Sequence, residues 1–418
     1  MEPKSPFANR TKYMVVSEVR EILKLVSRPG IISFAGGLPA PESFPRKEVK
    51  EIVDHVLSDD KEAAGALQYG TTEGYVGLRK ELAKRMRLKR SVDCDADEIL
   101  VTAGSQQALD LLARVFLDPG DHVVTSQPTY LGAVTAIYAS EARCATVQVD
   151  DQGEIPESLS RRLDELAKDK RPPKFVYVMS TFHNPLGISM GRKRRQDVYD
   201  ICSERDLYIV EDDPYYELRY SGDYIPPIKS IDKDERVIYL STFSKILTPG
   251  FRLGWVIAPK EVMRHLVVAK QASDLCTNTF GQFIATQYLK KGLVDPHMDE
   301  VRKIYGSRRK VMLESIEECF PKEAHWTKPD GGMFLWVTLP SEIDTREMLT
   351  RAVEQKVAYV SGRAFHVGGE NGKNSMRLNF SYANEDDIRT GIQRLAAVID
   401  AELKRKGAGE REEMPGLF

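Results

Sequence analysis

The stretch Val237-Ile238-Tyr239-Leu240-Ser241-Thr242-Phe243-Ser244-Lys245 opens on β-branched and aromatic residues and closes on hydroxyl side chains and a lysine. The apolar run reads as a strand over 237–242. Five runs of the same kind precede it, at 99–102, 122–125, 145–149, 175–179 and 207–211. Helical patterns at 106–116, 156–167 and 192–205 fall between them. Alternation of this sort predicts an α/β fold with a mostly parallel sheet covered on both faces. Turn signals stand where the elements should part, at Asp118-Pro119-Gly120 and Arg171-Pro172-Pro173.

The texture changes after about Lys260. One long helical stretch is expected to about residue 290, and another helix over 301–318. Strands at 332–338, 358–360 and 376–380 and helices at 346–356 and 385–404 complete a smaller α+β domain. Residues before 50 carry Arg28-Pro29-Gly30 and Gly36-Gly37-Leu38-Pro39, which suggests an arm returning to that second domain. The expected plan is an arm and part of the small domain over 1–50, a large domain over 51–295 and a small domain over 296–418. The charged tail, 407–418, is expected to fray.

Composition narrows the function classes. A chain of 418 residues exceeds one ordinary core, so two domains are expected. Hydrophobic residues at 42% and charged residues at 29% describe a soluble, globular chain. A net charge of −2 gives no overall field to draw nucleic acid or an anionic membrane. No apolar run approaches the ~18 residues of a membrane span. Residues 1–10 are polar and lack the apolar core of a signal peptide. The cysteines at 94, 144, 202, 276 and 319 form no C-x-x-C pair, which argues against a disulfide framework or zinc site. Their odd count fits a reducing cytoplasm. His183 is expected to be structural, with no metal at the site.

The chemistry gathers at the ends of the expected strands. A lysine projecting from a loop at a strand's C-terminal end, as Lys245 would, lies where open α/β sheets bind ligands. Its amine can form a Schiff base with an aldehyde. Arg252 follows seven residues later, and with Thr242 and Ser244 it offers a guanidinium and hydroxyls suited to a phosphate. Thr102-Ala103-Gly104-Ser105-Gln106 joins a strand to a helix, whose N-terminus would add N–H groups and a positive dipole end. An ordinary cap by Ser105 is the alternative. Asn184-Pro185-Leu186-Gly187 is by itself only a turn signal. Asp212, in Asp212-Asp213-Pro214-Tyr215, can aim a carboxylate into a crevice. Facing a pyridine nitrogen, it would favour the protonated ring and so make an electron sink.

These segments, in this order, resemble the fold-type I aminotransferases that use pyridoxal 5′-phosphate (PLP), from about Ser17 to about Lys404. Asn184 and Asp212 are 28 residues apart, and Asp212 and Lys245 are 33 apart, as in that family. The resemblance implies a large domain with a mostly parallel seven-stranded sheet sandwiched by helices, plus a smaller α+β domain. It implies that Lys245 bonds the cofactor and shuttles a proton, and that Asp212 pairs with the ring nitrogen. Asn184 and Tyr215 would hold the ring's hydroxyl oxygen, and Tyr130 would stack on the ring face. Ser105, Gln106, Thr242, Ser244 and Arg252 would cradle the phosphate. Tyr69 would reach the phosphate of a neighbouring subunit, making the active unit at least a homodimer. Arg377 would grip the substrate α-carboxylate, with Gly37 beside it.

The segments Ser17-Glu18-Val19-Arg20-Glu21-Ile22-Leu23 and Ile32-Ser33-Phe34-Ala35-Gly36-Gly37-Leu38-Pro39 look like the 2-aminoadipate, kynurenine and broad aromatic branch of bacteria and archaea. Arg20 matches an arginine that reads the distal carboxylate of acidic substrates there; a solvated helix arginine is the alternative. Aromatic or leucine-type donors with 2-oxoglutarate as acceptor are as plausible as 2-aminoadipate. A β-lyase or decarboxylase on the same scaffold is disfavoured by the retained Arg377. A transcription regulator with an aminotransferase-like sensor is disfavoured because the resembling sequence starts by about Ser17, where a DNA-binding domain would precede it.

Overall fold

The computed structural model describes residues 6–14 and 30–412. Its strands, in chain order, are β1 (Ile32–Ser33), β2 (Ile99–Thr102), β3 (His122–Ser126), β4 (Arg143–Val147), β5 (Val149–Asp150), β6 (Gly153–Glu154), β7 (Phe175–Val178), β8 (Tyr208–Asp212), β9 (Val237–Thr242), β10 (Gly254–Ile257), β11 (His325–Trp326), β12 (Phe334–Thr338), β13 (Val357–Ala358), β14 (Val360–Ser361) and β15 (Ser375–Asn379). Seven of them form the central sheet in the order β2-β10-β9-β8-β7-β3-β4. The pairs β9·β8, β8·β7, β7·β3 and β3·β4 are parallel. β10 alone runs against its neighbours β2 and β9. All residues of β2, β7, β9 and β10 are buried, as a sheet covered on both faces requires.

The six strands that run the same way place their C-terminal ends on one edge: Thr102, Ser126, Val147, Val178, Asp212 and Thr242. The loops that leave this edge build the site. A second sheet, β11-β12-β15-β14, is antiparallel throughout and has its own hydrophobic cluster. Helices Val294–Cys319 and Glu385–Glu412 pack together beside it. The short β1 pairs in parallel with β13, and the Phe34 N–H donates to the Ala358 carbonyl at 2.8 Å. This brings residues 34–39 over the edge where the two sheets meet.

Three expectations need correction. The stretch after Lys260 is two helices, Lys260–Gln271 and Thr279–Lys290. Leu275 between them is left-handed (φ 64°), and the Asn278 side chain caps the second helix by accepting from the Gly281 N–H at 3.0 Å. The strand β10, which starts two residues after Arg252, is not among the expected strands; its residues Gly254-Trp255-Val256-Ile257 are too few to stand out from their neighbours. Of the tail expected to fray, residues 407–412 continue the last helix, and 413–418 lie outside the described residues.

Candidate active site

The edge loops of the central sheet and the start of the small domain enclose a cleft of about 600 Å³. Every candidate residue named from the sequence lines it except two. Tyr69 is 78% exposed and lies elsewhere on its own chain, and Arg20 lies outside the described residues.

The end of the cleft expected to take a phosphate is built first by backbone. Gly104 ends the β2 turn with φ +76°, a conformation that L side chains resist. A Cβ there would sit 2.6 Å from Arg252 Nη2. Helix Ser105–Phe116 begins at the next residue, with Gly104 and not Ser105 as its N-cap. The first-turn N–H groups of a helix have no intrahelical acceptor. Arg252 donates to the Ala103 carbonyl at 3.2 Å and approaches the Ser244 hydroxyl at 3.5 Å. Thr242 Oγ1 accepts from the Ser244 N–H at 3.1 Å, holding the two hydroxyls side by side. Gln106 donates to the Gly132 carbonyl at 2.9 Å, beside the cradle. Hydroxyls, a guanidinium and a helix start together make a dianion-sized cradle with its charge preset.

Asp212 lines the same cleft. It ends β8, is buried, and its Oδ2 accepts from the Tyr177 hydroxyl at 2.9 Å. Its Oδ1 is buried and has no hydrogen-bond partner among the described residues. Burial pushes its carboxyl up to about 7, with the Tyr177 hydroxyl acting in the other direction. An orphaned buried carboxylate oxygen is costly, and a cationic ring N–H at that point would satisfy it. Behind it, Asp213 is held by the Tyr239 hydroxyl at 2.8 Å and lies 3.7 Å from Arg90.

Lys245 follows β9 in a short 3-10 turn. Its Nζ donates to the Gly37 carbonyl at 2.8 Å. Gly37 passes close to Phe334, since a Cβ there would lie 3.0 Å from the ring. Burial, then the charges of Arg377 and Arg252, lower the Lys245 amine to about 8. A sizeable neutral, nucleophilic fraction therefore exists near neutral pH.

Arg377, on β15 of the small sheet, is buried. Its guanidinium packs 4.1 Å over the Phe334 ring and 4.8 Å over the Phe365 ring. It donates to Asn184 Oδ1 at 2.8 Å and to the Ala35 carbonyl at 2.6 Å, leaving its Nε without a partner among the described residues. Asn184 Nδ2 in turn lies 3.5 Å from the Tyr215 hydroxyl. Tyr130 contributes to the same wall of the cleft. His183 is buried away from charge, contacts Ser126 Oγ at 3.0 Å and is lowered to about 3 by burial. No metal-binding group of side chains occurs among the described residues.

Sequence reasoning missed Tyr177, Phe334 and Phe365. Tyr177 reads as one more apolar strand residue. The two phenylalanines come from the second sheet and the turn that follows its strand β14, a juxtaposition no local pattern records.

A fold with this sheet edge and a lysine opposite an orphaned acid is that of enzymes that handle amino acids through PLP. The chain belongs to the family Aminotransferase class I and II, which it matches over residues 41–395. It is 49% identical over 399 residues to aromatic-amino-acid aminotransferase 1 of Thermococcus litoralis, covering 96% of this chain and 95% of that one. The crystal structure of Pyrococcus horikoshii kynurenine aminotransferase, in complex with PMP, is 48% identical with a TM-score of 0.91, covering 95% of this chain and 98% of that one. The α-aminoadipate aminotransferase of Thermus thermophilus, complexed with N-(5′-phosphopyridoxyl)-L-leucine, is 35% identical with a TM-score of 0.87, covering 96% and 98%. The protein is an amino-acid aminotransferase, and its cofactor is PLP.

Proposed function

We propose that the enzyme takes the amino group from an aromatic, kynurenine, 2-aminoadipate or branched-chain L-amino acid and passes it to 2-oxoglutarate in a ping-pong cycle. The names of the relatives support the donor classes. The apolar wall of Leu131, Phe334 and Phe365 supports a substrate with a large side chain.

Bound PLP supplies an aldehyde for imine formation and an electron-withdrawing ring that acidifies the substrate Cα–H. The chain's residues do the rest. Lys245 Nζ would hold the cofactor and, when free, would serve as the base that carries the substrate Cα proton. Asp212 Oδ1 keeps the ring nitrogen protonated. Asn184 and Tyr215 hold the ring hydroxyl oxygen, and Tyr130 packs on the ring. Ser105, Gln106, Thr242, Ser244 and Arg252 bind the phosphate. Arg377 receives the substrate α-carboxylate beside Gly37, in a pocket that two aromatic rings keep dry. Tyr69 completes the phosphate site of a partner subunit, which is consistent with its exposure on its own chain. The active unit is accordingly a homodimer. The cytoplasm is the proposed compartment, in keeping with five free cysteines.

The observation that carries this reading is that Lys245 and Asp212, whose Oδ1 has no partner among the described residues, line one cleft. Absorbance titration of the holoenzyme with glutamate, 2-aminoadipate, leucine, phenylalanine and kynurenine tests it. Loss of the visible cofactor band with a donor, reversed by 2-oxoglutarate, is expected. A band that none of these donors alters contradicts the proposed specificity.

A further inference from the structure

Tyr177 lies one strand away from Asp212 in the central sheet. The parallel register pairs Tyr177 with Val210, and Asp212 follows Val210 by two residues, so Tyr177 and Asp212 share one face of the sheet. Both are 1% exposed. The Tyr177 hydroxyl donates to Asp212 Oδ2 at 2.9 Å, and this is the only hydrogen bond to that carboxylate among the described residues. Asp212 lines the cleft and Tyr177 does not. The phenol therefore meets the cofactor only through the carboxylate.

A buried carboxylate usually keeps its charge by accepting two or three donors. Here burial works against the charge, and one donor opposes it. A phenol is well suited to be that donor. Burial and the neighbouring Asp212 hold Tyr177 far above its usual range, so it keeps its proton at every working pH. With Oδ2 engaged, Oδ1 is the carboxylate oxygen left without a partner in a residue that lines the cleft.

We propose that Tyr177 is a positioning residue that holds Asp212 ionised, with Oδ1 aimed at the cofactor ring nitrogen, and so maintains the ring's positive charge. The inference rests on the assignment of Asp212 to that nitrogen.

The test compares wild type, Tyr177→Phe and Asp212→Ala holoenzymes, each loaded with PLP or with N-methyl-PLP. The ring nitrogen of N-methyl-PLP is cationic without any partner. With PLP, Tyr177→Phe should lose about 10- to 100-fold in kcat, the worth of one charge-assisted hydrogen bond. KM for the amino donor should move by less than about 3-fold, since Arg377 is untouched. With N-methyl-PLP, wild type and Tyr177→Phe should agree within about 3-fold. The pH midpoint of the visible band should rise in Tyr177→Phe with PLP, because a less cationic ring leaves attached groups more basic. Site-specific 3-fluorotyrosine at 177, a stronger donor of nearly the same shape, should lower that midpoint. This keeps the test decisive even where Tyr177→Phe does not fold.

A Tyr177→Phe loss that persists with N-methyl-PLP, or midpoints that stay put, overturns the role of Tyr177. Asp212→Ala that gains nothing from N-methyl-PLP strikes instead at the ring-nitrogen assignment. Recovery of Asp212→Ala beside an unaffected Tyr177→Phe overturns the positioning role alone.

Discussion

Arg377 and Asn184 are joined by a hydrogen bond of 2.8 Å that crosses from the small antiparallel sheet to the loop after β7 of the large one. The Arg377 guanidinium, proposed to take the substrate carboxylate, is thus oriented by the residue that also reaches toward Tyr215. In the proposed reading, substrate binding and ring binding share one frame.

Arg377→Ala should therefore cost more than a charge. Removing one partner of a buried, hydrogen-bonded ion pair costs about 2–5 kcal/mol, or roughly 30- to several-thousand-fold in kcat/KM. The loss should fall on all amino donors alike. Steady-state kinetics with phenylalanine and glutamate checks it; a loss confined to one donor would place Arg377 in side-chain recognition.

Gly104→Ala should weaken the cofactor at its phosphate. The substitution forces an L side chain into φ +76° and drives a Cβ to within 2.6 Å of Arg252 Nη2. The strain alone is about 1 kcal/mol or more, and displacement of Arg252 adds to it. A fall in PLP affinity of about 10-fold or greater is expected by equilibrium titration of the cofactor-free protein. Unchanged affinity would remove Arg252 from the phosphate site.

Asp212 makes the cofactor-free protein sensitive to pH. Burial raises its carboxyl from 3.8 to about 7. A carboxyl with a raised folded value favours the fold fully below its unfolded value, and that contribution is lost as pH rises toward about 7. Asp212→Asn should thus stabilise the cofactor-free protein at pH 8 by an amount on the order of a few kcal/mol, and hardly at pH 4. Denaturant melts at the two pH values measure this. A gain equal at both would show that the carboxyl is not held above its usual range.

Much of this was legible in the sequence, for a physical reason. Lys245, Asp212 and Asn184 each follow a short, strongly β-forming run, and such runs in parallel strands must end on one edge. Local order therefore predicted their convergence. Three other features needed the third dimension. The strand β10 is four residues long and contiguous with a loop motif. Phe334 lies on β12 of the second sheet and Phe365 in the turn Gly362–Phe365 after β14, both far along the chain from the edge loops. Tyr177 is one buried aromatic among many until its hydroxyl is seen at the carboxylate. The break after Gln271 was hidden because Ser273 to Asn278 lacks proline and glycine; it shows only in the left-handed Leu275 and the Asn278 cap.

Tyr69 offers a test of assembly. A site that draws Lys245 from one chain and Tyr69 from its partner can be rebuilt from two damaged chains. Mixing Lys245→Ala with Tyr69→Ala subunits should restore one native site per hybrid dimer. Activity of the mixture well above either parent is expected. No gain after verified subunit exchange would mean that Tyr69 does not act across an interface.

The most direct test of the central claim is to locate the cofactor's covalent bond. Borohydride reduction of the holoenzyme, followed by digestion and peptide mass spectrometry, should find the phosphopyridoxyl group on the peptide carrying Lys245. The Lys245→Ala variant should carry none and should turn over many orders of magnitude more slowly. The group found on another lysine, or near-normal transamination by Lys245→Ala, would contradict the account.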